Sequence, residues 1–480
     1  MSQSDEILQP GRNCWRIEHA DRLALIVDAD DYFKAVKAAI LGATHSVYLI
    51  GWDFDTRIKF EPEGKTLDGP NKLGPFLRWI DKKRPDVKVY VLKWDVGAIQ
   101  ALGRGTTPLA VLNWLTSGRI HFKLDGAHPK AAAHHQKIVV VDDVLAFCGG
   151  IDMTADRWDT REHKDKDPRR RRPTGRRYGP WHDAATMVDG DVARALGELS
   201  RARWRWASGE ELAPPKDCPA IWPGSIEADF RGIHVGIART IPEYGDREEA
   251  REIEQLYLDA IASANRVIYC ESQYFASRRI AEAMGARLRE KDGPEIIVVN
   301  PETADGYLEP MAMDSARYRL LKLISDADAH DRFRIYTPVT SEGAPIYVHA
   351  KITIVDDRLL RVGSSNFNNR SMGFDTECDL VIEAVPGRKD VQQVRDRILA
   401  RRDDLIAEHL QTSVDEIREQ VASKGGLIAA IDALRGTGRT LLVYEPDEPA
   451  DFEEGLAEND LLDPEQPRSL LPQLFSRNDP

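Results

Sequence analysis

Two stretches of this chain carry the same reactive residues at the same spacing. His135, Lys137 and Asp142 stand in HQKIVVVD, and His349, Lys351 and Asp356 stand in HAKITIVD; Gly149 and Gly363 follow at the same offset. In each copy an apolar run, Ile138 to Val141 and Ile352 to Val355, separates the Lys from the Asp and reads as a buried strand. Residues i and i+2 share one face of a strand. His135 therefore projects with Lys137, and His349 with Lys351. A chain that builds this pair twice can bring two imidazoles and two ammonium groups to one point.

Such a group suits displacement at a phosphodiester. The substrate's negative charge repels nucleophiles and its alkoxide leaves poorly. A neutral imidazole can attack phosphorus while a second, protonated imidazole gives its proton to the leaving oxygen. Histidine titrates near neutrality, so the two can hold opposite protonation states. Two lysines can neutralise the non-bridging oxygens without a metal, and no cofactor is implied. In-line displacement needs the imidazoles on opposite sides of phosphorus, which a pseudo-twofold pair of domains supplies. The intermediate is a phosphohistidine, resolved by water or an alcohol.

The elements that would hold these residues also occur twice. A strand at Leu23 to Val27, a helix capped at Asp31 and a strand at Ser46 to Trp52 are echoed by a helix over 251–264 and a strand at Val267 to Cys270. At an offset of 221, Ile40 matches Ile261, Ala43 matches Ala264, Tyr48 matches Tyr269 and Phe54 matches Phe275. Further strand runs recur at Val87 to Leu92 and Ile296 to Val299, then at His121 to Leu124 and Arg334 to Tyr336. Last come Ala184 to Val188 and Leu380 to Ile382. Similarity in one order along a whole half indicates a duplicated domain, and alternating strands and helices an α/β layered fold in each copy. The expected organisation is a first domain over 1–207, opening with a loose lead-in to about residue 22. A linker rich in Pro and Gly follows over 208–232, a second domain over 233–390, and a helical segment with an acidic tail over 391–480. The site belongs at the interface of the two domains.

With two His–Lys–Asp–Gly patterns in place, the chain resembles the phospholipase D superfamily, whose signature is HxKxxxxD followed by Gly-Ser-x-Asn or Gly-Gly-x-Asp. GGIDMTADRWDT at 149–160, YGPWHD at 178–183, ESQYF at 271–275 and NNRSMGFDTECDL at 368–380 resemble its phospholipid-cleaving branch, over residues 23 to 410. The resemblance implies His135 as nucleophile and His349 as general acid and base. It implies Lys137, Lys351 and Asn366 as holders of the phosphate oxygens, and a carboxylate behind each His, for which Asp183 and Glu377 are the candidates. Asp142 and Asp356, though part of the catalytic signature, read as structural, because five residues along a strand from the Lys carries them away from the site. Asp152 stands where the second copy has Asn366, so the phosphate cradle is expected to be asymmetric, and the anion must be paired. His134 faces opposite to His135 and reads as a bystander.

Composition sets bounds. The 480 residues include 66 basic and 79 acidic ones, for a net charge of −13, a poor match to nucleic acid, whose binding draws on a basic surface. Five scattered cysteines without a CxxC suit a reducing compartment and inert core thiols. No signal peptide or membrane span is legible, so a cytoplasmic monomer peripheral to the membrane is expected. Residues 164–177, KDKDPRRRRPTGRR, read either as a mobile basic loop that attracts anionic headgroups or as an inert solvated insertion. Trp52, Trp94 and Trp158 read as core. Trp181, beside His182 and Asp183, is the exception, a candidate for binding substrate through its face, and Gln273 reads either as a headgroup contact or as a satisfied polar residue at a strand end. The helical stretch 390–424 reads as a packing helix pair. The reading is a phospholipase D that hydrolyses or transphosphatidylates glycerophospholipids. A cardiolipin synthase-type transferase, a nuclease of the same superfamily and a lipid-binding scaffold are the alternatives.

Overall fold

The structure is a computed structural model that describes residues 6–95, 118–303 and 309–445. Its eighteen named strands run β1 (Arg16–Val27), β2 (Ser46–Gly51), β3 (Lys88–Trp94), β4 (Ile120–Asp125), β5 (Ile138–Val141), β6 (Leu145–Gly149), β7 (Trp181–His182), β8 (Ala184–Asp189), β9 (Phe230–Ile241), β10 (Ala250–Arg251), β11 (Val267–Glu271), β12 (Glu295–Val299), β13 (Phe333–Val339), β14 (Tyr347–Val348), β15 (Ile352–Val355), β16 (Leu359–Gly363), β17 (Glu377–Glu383) and β18 (Thr440–Val443). Sixteen form one sheet in the order β18-β13-β12-β11-β15-β16-β17-β9-β1-β8-β6-β5-β2-β3-β4, with β10 on β9. Read outward from the centre, β9-β17-β16-β15-β11-β12-β13 repeats β1-β8-β6-β5-β2-β3-β4. Three strands at each flank are parallel and the rest antiparallel. The halves join where β1 pairs antiparallel with β9, with His19 opposite His234.

The duplicated apolar runs explain this sheet. Strands buried on both faces must be continuously apolar, and Val47, Leu49, Val139, Val141, Ile296, Val298, Ile352 and Ile354 are all at 4% exposure or less. Helices then cover both faces. Phe33, Val36 and Ile40 of the helix Ala29–Leu41 and Leu256, Ala260 and Ile261 of the helix Glu252–Ser263 are buried against the sheet at equivalent places.

Two local expectations change. Arg16 to Arg22, read as lead-in, is strand, because the long β1 zips against β9 beyond its apolar part. Residues 230–232, assigned to the linker, open β9. Residues 390–424 hold two helices, Val391–Leu410 and Val414–Lys424, as read from the sequence, and a third, Leu427–Leu434, follows. β18 follows them and pairs with β13 at the sheet edge. The acidic tail from residue 446 lies outside the described residues.

Asp142 and Asp356 do the same job in the two halves. Asp142 accepts hydrogen bonds from the backbone N–H of Thr44, His45 and Ser46 at 2.6–2.8 Å and from the Thr44 hydroxyl. Asp356 accepts from the N–H groups of Asn265, Arg266 and Val267, each at 2.8 Å. Each sits at positive φ, 55° and 52°, just past its strand, and ties that end to the start of the neighbouring strand β2 or β11. Charge-assisted bonds to otherwise unpaired N–H groups are strong. Asp356→Ala should therefore cost about 2–4 kcal/mol. Urea unfolding should show a lower midpoint with unchanged slope, and a loss below about 0.5 kcal/mol would refute the assignment.

Candidate active site

His135 and His349 sit just before β5 and β15, at the ends opposite to Asp142 and Asp356. The chain around each is held by the other half of the molecule. β14 pairs in parallel with β7, setting Tyr347 beside Trp181 and Val348 beside His182, and the His349 N–H donates to the His182 carbonyl at 2.7 Å. The counterpart joins residues 133–135 to Thr376: the His135 N–H donates to the Thr376 carbonyl at 3.1 Å, and the Thr376 N–H to the Ala133 carbonyl at 3.0 Å.

These two ribbons deliver the carboxylates crosswise. Asp183, of the first half, has Oδ2 2.7 Å from Nδ1 of His349, of the second. Glu377, of the second half, has its two oxygens 2.9 and 3.0 Å from Nδ1 of His135. A carboxylate on Nδ1 fixes the tautomer and leaves Nε2 as the free basic nitrogen. The supports differ. Ser364 and Ser371 donate to Glu377 at 2.5 and 2.7 Å. Where the second copy has Ser364, the first has Gly150, and a Cβ there would lie 2.1 Å from Asp183 Oδ1. Glycine is what lets the shorter Asp183 approach. The serines carry no strong signal in the sequence beyond their place in the GSSN and NNRSMG segments.

Each lysine folds back on its own histidine. Lys137 Nζ donates to the His135 carbonyl at 2.8 Å, and Lys351 Nζ donates to that of His349. Lys137 also meets Asp152 at 3.3 Å, and Asp152 accepts the Trp52 N–H at 3.0 Å, so the anion expected to need a partner has one. Asn366 takes the equivalent place with its Oδ1 buried and unpaired. Gln273 accepts from Lys351 at 3.3 Å and donates to the Tyr274 and Tyr347 hydroxyls. Trp181 packs 4.6 Å from Tyr347 and 5.2 Å from the His349 ring. Arg157, not anticipated from the sequence, covers its ring at 4.2 Å. His134 turns away to Asp125, 3.0 Å off, which also pairs with Arg203.

The basic stretch 164–177 is tied down rather than loose. Lys164 pairs with Glu162, Lys166 with Glu342, Arg169 with Asp167 and Glu63, Arg170 with Asp159, and Arg172 with Asp156. Arg170 is among the most buried large side chains. Arg171, Arg176 and Arg177 are exposed.

Behind the ribbons lies a buried polar group the sequence did not reveal. Asp28, His163, His182 and Glu408 converge, with His182 Nδ1 3.1 Å and His163 Nε2 3.2 Å from the same Glu408 oxygen. The remaining ring nitrogens meet Glu271 at 2.8 Å and Asp159 at 3.0 Å. His409 continues the chain through Glu271. With imidazole and carboxylate donors this close, the four residues could hold a divalent cation; as they stand Glu408 joins His163 and His182 by hydrogen bonds, and Asp28 lies 3.4 Å from both rings. Glu408 and His409 come from the helix Val391–Leu410, so the C-terminal segment helps to build the ground on which the β7–β14 ribbon rests.

Burial dominates the electrostatics. Removal from water, then Lys137 and Lys351, holds His135 well below its ordinary pKa. Removal from water, then Lys351, Arg157 and Lys137, does the same to His349. Burial raises Glu377 to about 8 and Asp183 to about 7, against the pull of Lys137 and Lys351 respectively. It lowers Lys351 to about 7, against Asp183. Each His–carboxylate pair therefore carries one shared proton near neutrality rather than a full ion pair.

The family model described as "Cardiolipin synthase, PLD-like domain" matches residues 257–400. Phospholipase D A of Dictyostelium discoideum is 26% identical over 74% of this chain and 32% of its own length. Phospholipase D delta of Arabidopsis thaliana is 25% identical over 79% of this chain and 63% of its own. The chain thus spans about a third and just under two thirds of these relatives. The solved phosphatidylserine synthase of Haemophilus influenzae Rd KW20 superposes with a TM-score of 0.55 at 13% identity, covering 80% of this chain and 88% of that one, and shares the fold. These likenesses to phospholipases D and to a PLD-like domain model support the phospholipase D superfamily for this chain.

The shared proton is directly observable. In ¹⁵N spectra the His135 ring should stay neutral through pH 6.5 and respond instead near pH 8, where Glu377 ionises. Glu377→Gln should abolish the pH 8 response. A ring that titrates near 6.5 as a free imidazole would contradict the buried pair.

Proposed function

We propose that this protein is a phospholipase D: it breaks the phosphodiester of a glycerophospholipid on the headgroup side through a phosphohistidine and passes the phosphatidyl group to water or an alcohol. The observation that carries the reading is the crossed pair of carboxylate-backed imidazoles, each with a lysine on its own carbonyl. A structural role would require neither the duplication nor the crossing.

The roles follow from the geometry. His135 attacks phosphorus through Nε2 in the form in which Glu377 is ionised and accepts the Nδ1–H, and Glu377 then steadies the imidazolium as it forms. His349 delivers the proton of its pair with Asp183 to the departing headgroup oxygen, then takes one from the incoming water. Lys137, Lys351 and the side-chain N–H of Asn366 hold the non-bridging oxygens, which removes the need for a metal at the reacting phosphate. The arriving phosphate charge favours the protonated forms of Lys351 and His349 that burial alone disfavours.

The substrate is a phospholipid presented at a membrane surface, where Arg171, Arg176 and Arg177 would meet anionic headgroups. Among the described residues no helix is long and apolar enough to cross a bilayer. The family match over 257–400 supports a second reading with the same chemistry, in which the acceptor alcohol is a second lipid and the product cardiolipin.

Phospholipid vesicles should yield phosphatidate, and phosphatidylethanol when ethanol is present; phosphatidylglycerol alone converted to cardiolipin would favour the second reading. His135→Ala and His349→Ala should each lower turnover by at least ~1000-fold, with the double variant little worse. Asp183→Asn and Glu377→Gln should cost about 100- to 10,000-fold in kcat. Quenched protein should carry acid-labile phosphate on His135; turnover that survives His135→Ala would overturn the assignment.

A further inference from the structure

The wall beside His349 contains a cation whose role the hydrolytic mechanism leaves open. Arg157 is 8% exposed, and its Nε is buried with no hydrogen-bond partner. The acids nearest in sequence are committed elsewhere: Asp156 to Arg172, and Asp159 to Arg170 and His163. Asp183 is held by His349. A guanidinium removed from water without a carboxylate is costly to keep, and a planar fork of donors is shaped for an oxyanion.

Its position selects which part of the substrate it meets. Arg157 lies over the Trp181 ring, which in turn lies against His349. Its charge is among those felt most at His349, Lys351 and Asp183, whereas His135 responds chiefly to Lys137, Lys351, Asp375 and Asp152. Arg157 thus stands on the His349 side. On the proposed reading His349 protonates the leaving alcohol, so that side is where the headgroup sits; the inference rests on that reading.

The same contacts close another option. A quaternary ammonium headgroup would seek an open aromatic face. Trp181, the tryptophan expected to offer one, is covered by Arg157 at 4.2 Å and by Tyr347 at 4.6 Å.

We propose that Arg157 is a specificity-determining residue that binds an oxyanion carried by the headgroup, a carboxylate as in serine in preference to a cationic choline. The fork would take the carboxylate while the Tyr347 and Tyr274 hydroxyls, already gathered by Gln273, meet the headgroup's polar atoms.

Binding and turnover separate this assignment from the reaction it serves. Calorimetry with glycerophosphoserine, glycerophosphoglycerol and glycerophosphocholine should rank the parent's affinity in that order, with serine over choline by about 10- to 100-fold, the range of one charge-assisted contact. Arg157→Gln should collapse the ratio to near one, and Arg157→Lys should keep part of it, which a misfolded protein would not do. The kcat/KM values for phosphatidylserine and phosphatidylcholine vesicles should follow the same pattern. A parent that prefers choline or shows no preference, or an Arg157→Gln variant that loses all three ligands equally, would overturn the proposal; the last result would put Arg157 on the reacting phosphate. O-phosphoserine binding as tightly as glycerophosphoserine would show a site for free phosphomonoesters and equally overturn it. Should the parent select the serine compound yet turn over no phospholipid, the hydrolytic reading fails while the headgroup assignment stands.

Discussion

Everything in this molecule turns on a crossed pair of histidine–carboxylate contacts. Asp183 reaches His349 and Glu377 reaches His135, so neither half of the chain can orient its own imidazole. The crossing is enforced by backbone. Two short parallel ribbons, Trp181–His182 with Tyr347–Val348 and residues 133–135 with Thr376, set the distance from each carboxylate to its ring. The ribbons can form because the halves are welded through β1 and β9 into one continuous sheet. A sheet edge at that junction would have left the two copies free to rotate, and the ring-to-carboxylate distances with them.

The site carries a large burial penalty, and the surrounding network offsets it. His135, His349, Lys137, Lys351, Asp152, Asp183 and Glu377 are nearly all removed from water, where unpaired charge is costly. Each is satisfied by a specific neighbour: a serine hydroxyl, a backbone carbonyl or N–H, or an opposite charge. The pattern extends outward through Arg361 with Asp379 beneath Glu377, and through His182, Glu271, Glu408 and His409 beneath Asp183. The helix Val391–Leu410 belongs to the active part of the fold for this reason.

Duplication supplied the symmetry, and small departures from it make the two imidazoles unequal. Glu377 is one methylene longer than Asp183 and is gripped by two serines, where Asp183 is approached by Gly150. Asp152 pairs with Lys137, while the second copy has the neutral Asn366 at the equivalent position. Arg157 adds positive charge on the His349 side alone. Two chemically identical rings are thereby given different surroundings, the condition for one to attack while the other donates.

The sequence by itself determined the strands, the duplication and the reactive residues. Period-two geometry sets His and Lys on one face, and a continuous apolar run has no stable place except between two covered layers. It also pointed away from catalysis for Asp142 and Asp356, since strand length alone carries them to the far end. Asp183 and Glu377 were legible as carboxylates near the histidines, and only the tertiary structure decided which serves which, because partner choice depends on ribbons closed between residues more than 160 positions apart. The roles of Ser364, Ser371, Glu408 and Arg157 were hidden for the same reason: a hydroxyl or guanidinium has no period, and its meaning comes from what lies within 3 Å or over a ring. The basic run at 164–177 looked like a free loop because charge in a sequence is counted without its partners, and folding supplied acids from three other segments to neutralise most of it.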